Sequence, residues 1–164
     1  MKNNQEFYKK VSLSRQADML INNYACSSTL AGFIPVPLLD IAGLMSVQRI
    51  MLYHLSVLYG VPFKKHVAKA LLSTLMGSVA SSVAAPVAGS ALKLIPGVGS
   101  LMGGAGMATL GSTSTYAIGK IFKKHFEKGG TLEDFHPDQM EQQLERELAE
   151  SEKRASTACK IQNQ

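Results

Sequence analysis

The stretch LIPGVGSLMGGAGMATLGSTSTYAIG, residues 94–119, is 26 residues long, carries no charge and holds seven glycines. It is too apolar for a loop and too glycine-rich for an ordinary helix. Seven glycines cost on the order of 6 kcal/mol of helix propensity relative to alanine, so something other than propensity must hold the segment helical. Just before it, after the single Lys93, stand 23 further uncharged residues, Ala70 to Leu92. At about 1.5 Å per residue either stretch reaches roughly 35 Å or more, enough to cross a hydrocarbon layer of about 30 Å.

A bilayer would supply the compensation, because it forces the backbone to bond to itself while small side chains let two helices approach closely. Gly99, Gly103, Gly106, Thr113 and Ala117 share one face of the second stretch. Ser78, Ala85 and Gly89 line a comparable face of the first. The expectation is a helical hairpin packed through small residues, with Lys93, Pro96 and Gly97 in its turn. Pro86 fits a membrane helix better than a soluble one. Lys64, Lys65 and Lys69 precede the pair and Lys120, Lys123, Lys124 and Lys128 follow it, so both ends read as cytoplasmic and suited to anionic headgroups. As hydropathy signals both stretches are mediocre, with much Ala and Ser. The competing reading is the central hairpin of a soluble bundle.

Working outward, proline and glycine punctuate the other helices. Ser12 to Phe33 reads as amphipathic, with Leu13, Ala17, Leu20, Tyr24 and Ser28 along one side. It stops before Pro35. Pro37 then suits the first turn of a second helix, Leu38 to Tyr59, closed by Gly60 and Pro62. On that helix Ser46, Arg49, Tyr53 and Ser56 form the side expected to meet water. Asp40, Gln48 and His54 lie outside it among apolar neighbours, where an unpaired polar group costs about 1–3 kcal/mol. They are read either as satisfied polar residues of a core or, for Asp40 and Gln48, as a relay or ligand site. Gly129-Gly130 marks a flexible break. Beyond it a helix starts near Pro137, whose narrow stripe of Met140, Leu144 and Leu148 would dock on a partner, pair as a short coiled coil, or stay solvated.

The fold class is therefore all-α: a helical bundle with a central Gly/Ala/Ser-rich hairpin and a separate C-terminal helix. Two parts follow, a membrane-associated domain over 1–130 and an acidic helical tail over 131–164. Charge divides the same way. The net charge is +5, but residues 1–130 hold 13 Lys/Arg against four acids and the remainder four against eight. The polar opening MKNNQEFYKK is not followed by a secretory apolar run. Cys26 and Cys159 are far apart and read as reduced thiols.

Chemistry-bearing patterns are not matched. Ser114 to Ile121 lacks the first glycine and the hydroxyl of a phosphate loop, and GxGxxG fails at Met102 and at Thr109. His54, His66, His125 and His136 show no metal-ligand spacing, and no serine stands in GxSxG. The lysines bracket uncharged runs instead of alternating with aromatics, which argues against nucleic acid. No enzyme activity, cofactor or metal is expected.

The run from Ala17 to Gly60, with Pro35, Pro37, Asp40, Gln48 and Tyr59-Gly60, followed by Ile95, Pro96, Gly97, Gly99 and Thr115 to Gly119 before a basic exit, resembles a known family. It is the bacterial membrane domain of unknown function 697, attached to Era-like GTPases and present in YcjF-like inner-membrane proteins. The resemblance covers about residues 17 to 130. It implies membrane association and a working relationship with a GTPase, and carries over no catalytic residues. The GTPase itself is missing from this chain, so it would be a separate partner. The expected role is a non-enzymatic anchor or effector module in the bacterial inner membrane with cytoplasmic termini. The alternatives are a self-assembling pore or membrane-shaping scaffold, and a soluble helical interaction protein.

Overall fold

A computed structural model describes residues 2–31, 37–87 and 98–161, with side-chain surroundings for 5–28, 43–80, 111–151 and 153. Among these residues the chain is all-α: α1 (Lys2–Ala31), α2 (Pro37–Tyr59), α3 (Lys65–Val87), α4 (Val98–Glu127) and α5 (Pro137–Ile161). Pro37 opens α2 and Pro137 opens α5, each where a missing N–H is harmless. Gly60, at φ 69°, ends α2, and Gly129, at φ 86°, follows α4. Both need the left-handed backbone that glycine adopts without strain.

Helix α4 is the centre. It rests mainly on α1 and α5, then on α2, and only lightly on α3. From Thr113 to Gly119 every residue is buried. The stripe Gly111, Thr115, Gly119 faces α1. A Cβ on Gly111 would lie 3.2 Å from the Ser28 carbonyl oxygen, and one on Gly119 would lie 2.9 Å from Ile21 Cγ1 and Cγ2. Gly111 and Gly119, which lie outside the face picked from the sequence, thus let the α4 and α1 backbones approach over the described half of α4, while the surroundings of Gly99, Gly103 and Gly106 fall outside the described residues. Ala17, Ile21, Ala25 and Ser28 supply the matching face of α1, all buried.

Two boundaries differ from the expectation. Helix α1 starts at Lys2, ten residues early, because Lys, Gln and Glu carry a helix without an apolar stripe; Phe7, Tyr8 and Val11 there stay exposed. Helix α4 does not stop at Gly119 but runs to Glu127, because Ile121, Phe122 and Phe126 continue its buried face. Phe122 stacks on Phe135 with ring centroids 4.3 Å apart, and full burial of such a ring contributes about 1.5–3 kcal/mol.

The Gly129-Gly130 break is a bonded turn instead of a loose joint. The Thr131 N–H donates to Asp134 Oδ1 at 2.6 Å and the Thr131 hydroxyl to the same oxygen at 2.8 Å. The His125 ring closes over it, with Nε2 2.8 Å from the Thr131 carbonyl and 3.2 Å from Asp134 Oδ1. That turn folds α5 back onto α3 and α4. Leu144, Glu147, Leu148 and Ser151 are buried there, so the narrow stripe finds its partner inside the chain.

Among the described residues no helix is long and apolar enough to cross a membrane.

Candidate functional site

Two polar systems are built onto α4, one at each end of its buried segment. The first is uncharged. Gln48 of α2 is fully buried, with its Nε2 3.4 Å from Met76 Sδ, 3.5 Å from Ser114 Oγ and 3.4 Å from Thr115 Oγ1. Hydroxyl bookkeeping fixes this amide orientation. The Ser28 hydroxyl donates to the Tyr24 carbonyl at 2.8 Å and the Ser114 hydroxyl to the Gly111 carbonyl at 3.2 Å. Thr115, 2.9 Å from Ser28 Oγ, is left to donate to it. The three protons are spent, so the hydroxyl oxygens can only accept from Gln48. Its carbonyl Oε1 consequently has no partner among the described residues, an arrangement that costs about 1–3 kcal/mol if no donor reaches it.

The second system is ionic and follows the basic exit of α4. Asp18 of α1 accepts from Lys120 at 3.0 Å and from Lys123 at 2.8 Å. Lys123 also meets Glu127 at 3.6 Å, and the Tyr59 hydroxyl donates to Glu127 at 3.1 Å. Lys124 pairs with the buried Glu147 of α5, and Lys64 with Glu133. Partial burial disfavours the Asp18 carboxylate, but the bonds from Lys123 and Lys120 outweigh it and hold its pKa below the usual carboxylate range. Lys120 is correspondingly raised: burial works against its charge, and Asp18 overrides the burial. The Tyr59 hydroxyl is pushed well up, by burial and then by the neighbouring Glu127 charge. Above this cluster a cleft of about 690 Å³ opens between α1, Tyr59 and the end of α4, with Phe7, Val11 and Phe126 in its wall.

The sequence-picked residues distribute as follows. Gln48 is the centre of the uncharged seam. Ser78 is half-buried on α3. Asp40, Ala85, Gly99, Gly103 and Gly106 lie on described helices, but their side-chain surroundings fall outside the described residues, as do Gly89, Lys93, Pro96 and Gly97 altogether. Of the seven lysines, Lys64, Lys120, Lys123 and Lys124 have acidic partners within the protein, and Lys123 is buried. Lys65, Lys69 and Lys128 are exposed. On α2, Ser46, Arg49 and Tyr53 meet solvent, whereas Ser56 is buried and donates back to the Leu52 carbonyl at 2.8 Å. That local bond frees serine to face inward. His54 is exposed and bonds Tyr24 Oη through Nδ1 at 2.7 Å. Ser28, Ser114, Thr115, Asp18 and Glu147 escaped the sequence reading as a set. Ser28, on the apolar side of α1, and Thr115, in the run that carries the family resemblance, were the two that carried a signal.

A family model matches residues 3–153, under the description domain of unknown function, DUF697. The chain belongs to the DUF697 family. A curated relative is magnetosome membrane protein 22 of Magnetospirillum gryphiswaldense, 38% identical over 125 residues. That alignment covers 76% of this chain and 64% of the relative, so the chain spans under two thirds of that protein's length. No solved structure matches the chain. Among the described residues of this DUF697 chain, no group of three His, Cys, Asp or Glu side chains could hold a metal ion.

Proposed function

We propose that this DUF697 chain is a non-enzymatic, membrane-associated helical module that serves as anchor or effector for a separate GTPase at the bacterial inner membrane, with its termini on the cytoplasmic side. The observation that carries the membrane part is the 38% identity to a magnetosome membrane protein along three quarters of the chain. The charge pattern supports it: between Asp40 and Glu127 the sequence has no acidic residue, while eight Lys/Arg fall in that interval. In this reading α1, α2, α5 and the described half of α4 form the cytoplasmic body. The GTPase connection rests on the family resemblance alone.

Fractionation of expressing cells tests the reading, with recovery in the membrane pellet after a salt wash as the expected outcome. Quantitative recovery in the soluble fraction would overturn it. Co-purification of a GTPase from cross-linked membranes tests the partner.

A further inference from the structure

The outer face of α2 exposes apolar and aromatic side chains beside cations. Arg49, Ile50, Tyr53 and Val57 fall within about 100° of arc on a helical wheel. Ile50 is 47%, Tyr53 46% and Val57 60% exposed. Phe63, in the link to α3, packs edge-on against Tyr53 with centroids 5.3 Å apart. On the other side Tyr53 meets His54 at 5.4 Å, and His54 stacks on Tyr24 of α1 at 5.8 Å. Four rings thus run in a surface ladder across α1, α2 and the α2–α3 link. Beneath them lies a recess of about 330 Å³ lined by Arg49, Ile50, Tyr53, Phe63 and Lys65.

Every charged group at this recess is a cation. Lys69 continues the line one turn beyond Lys65 on α3, and both are exposed. Among the described residues Arg49, Lys65 and Lys69 have no acidic partner, in contrast to the lysines held by Asp18, Glu147 and Glu133. Aromatic and aliphatic side chains flanked by unneutralised cations are the composition that lies in the headgroup region of a bilayer.

We infer that this face of α2, with Phe63 and Lys65, is an interfacial binding surface for an anionic lipid bilayer. Tyr53, Phe63, Ile50 and Val57 enter the headgroup boundary while Arg49, Lys65 and Lys69 contact lipid phosphates. Contact of this kind needs no membrane-crossing helix. The inference rests on the proposed membrane association and assigns it to a surface.

The full-length chain is sedimented with vesicles of phosphatidylglycerol and phosphatidylcholine and with vesicles of phosphatidylcholine alone, alongside Arg49→Glu/Lys65→Glu and Tyr53→Ser/Val57→Ser variants. These positions are exposed, and circular dichroism checks that the variants fold. The wild type is expected to bind the anionic vesicles, more weakly at high salt, and to bind the neutral ones poorly. The charge-reversal pair is expected to lose at least about 30-fold in partitioning, with a clear loss for the Ser pair. Variants that bind like the wild type overturn the inference. So does a wild type that binds neither vesicle, or a lipid-free dimer that either pair dissolves, which would assign the face to a second copy. In each such case, recovery of the wild type in the cell membrane pellet leaves the proposed function standing, and recovery in the soluble fraction removes both.

Discussion

The two ends of the buried segment of α4 handle polarity in opposite ways. Around Gln48 the helices meet through hydroxyls and an amide, with glycine at 111 letting the α1 backbone close in. Two turns later, around Lys120 and Lys123, the same pair of helices is joined by a carboxylate shared between two ammonium groups. The first arrangement demands close approach and tolerates no charge. The second spans a wider gap with long side chains and stays partly in water, Asp18 being 40% exposed. A single helix thus carries a dry seam and a wet clasp, and each should respond to a different perturbation.

The largest contrast is expected at Gln48. Gln48→Glu places a carboxyl where no cation stands among the described residues, so its pKa rises, and the protein should lose about 3 kcal/mol at pH 8. The sign is opposite to that of a salt-bridged acid. The penalty is full at high pH and shrinks as pH falls through the raised folded pKa toward the unfolded value near ~4. Gln48→Leu removes the unpartnered Oε1 along with the amide and should cost less than about 1.5 kcal/mol. Urea titrations at two pH values separate the cases. A pH-independent loss in the Glu variant would refute the dry seam.

Gly119→Val comes next. Its added carbons meet Ile21 at 2.9 Å, and overpacking of this kind costs about 1–3 kcal/mol. Thermal melting should show the drop, with partial recovery in Gly119→Val/Ile21→Ala; no recovery would mean that the α1 contact is not the cause.

At the clasp, Asp18→Asn leaves the buried Lys123 with Glu127 alone. A loss of about 1–2 kcal/mol is expected, below the usual figure for a broken buried pair because Asp18 is partly solvated. The pH dependence follows from the lowered Asp18 pKa. The contribution is complete above the unfolded value near ~4 and is lost as pH falls through the folded one. Asp134, held at about 2 by the Thr131 bonds, behaves likewise over the interval from about 4 down to about 2. Lys64→Ala, which breaks an exposed pair with Glu133, should change stability by less than about 0.5 kcal/mol.

Helix identities and most ends were legible where chemistry is local. Pro37, Gly60 and Pro137 announce themselves, because a fixed φ, a left-handed backbone or a missing donor acts on the spot. The close-packed glycines were not legible: the face picked from the sequence ran through Gly99, Gly103 and Gly106, whose surroundings fall outside the described residues, whereas the contacts to α1 come at Gly111 and Gly119. Gly111 and Gly119 look the same whether a hairpin arm, lipid or α1 covers them, and only tertiary geometry chooses α1. The same limit hid the clasp. Asp18 is 102 residues from Lys120, and no periodicity links them. Helix α5 looked marginal alone because its stripe is narrow; the Thr131–Asp134 turn aims that stripe at α4, and such aim is not written in composition.

The most direct measurement is carbene labelling with a lipid-soluble reagent in native membranes, mapped by peptide mass spectrometry. The account predicts that residues 113–119 stay unlabelled, since α1, α2 and α5 enclose them, while the peptides carrying Tyr53 and Phe63 take up label. Strong labelling of 113–119 by the lipid-phase reagent would contradict it.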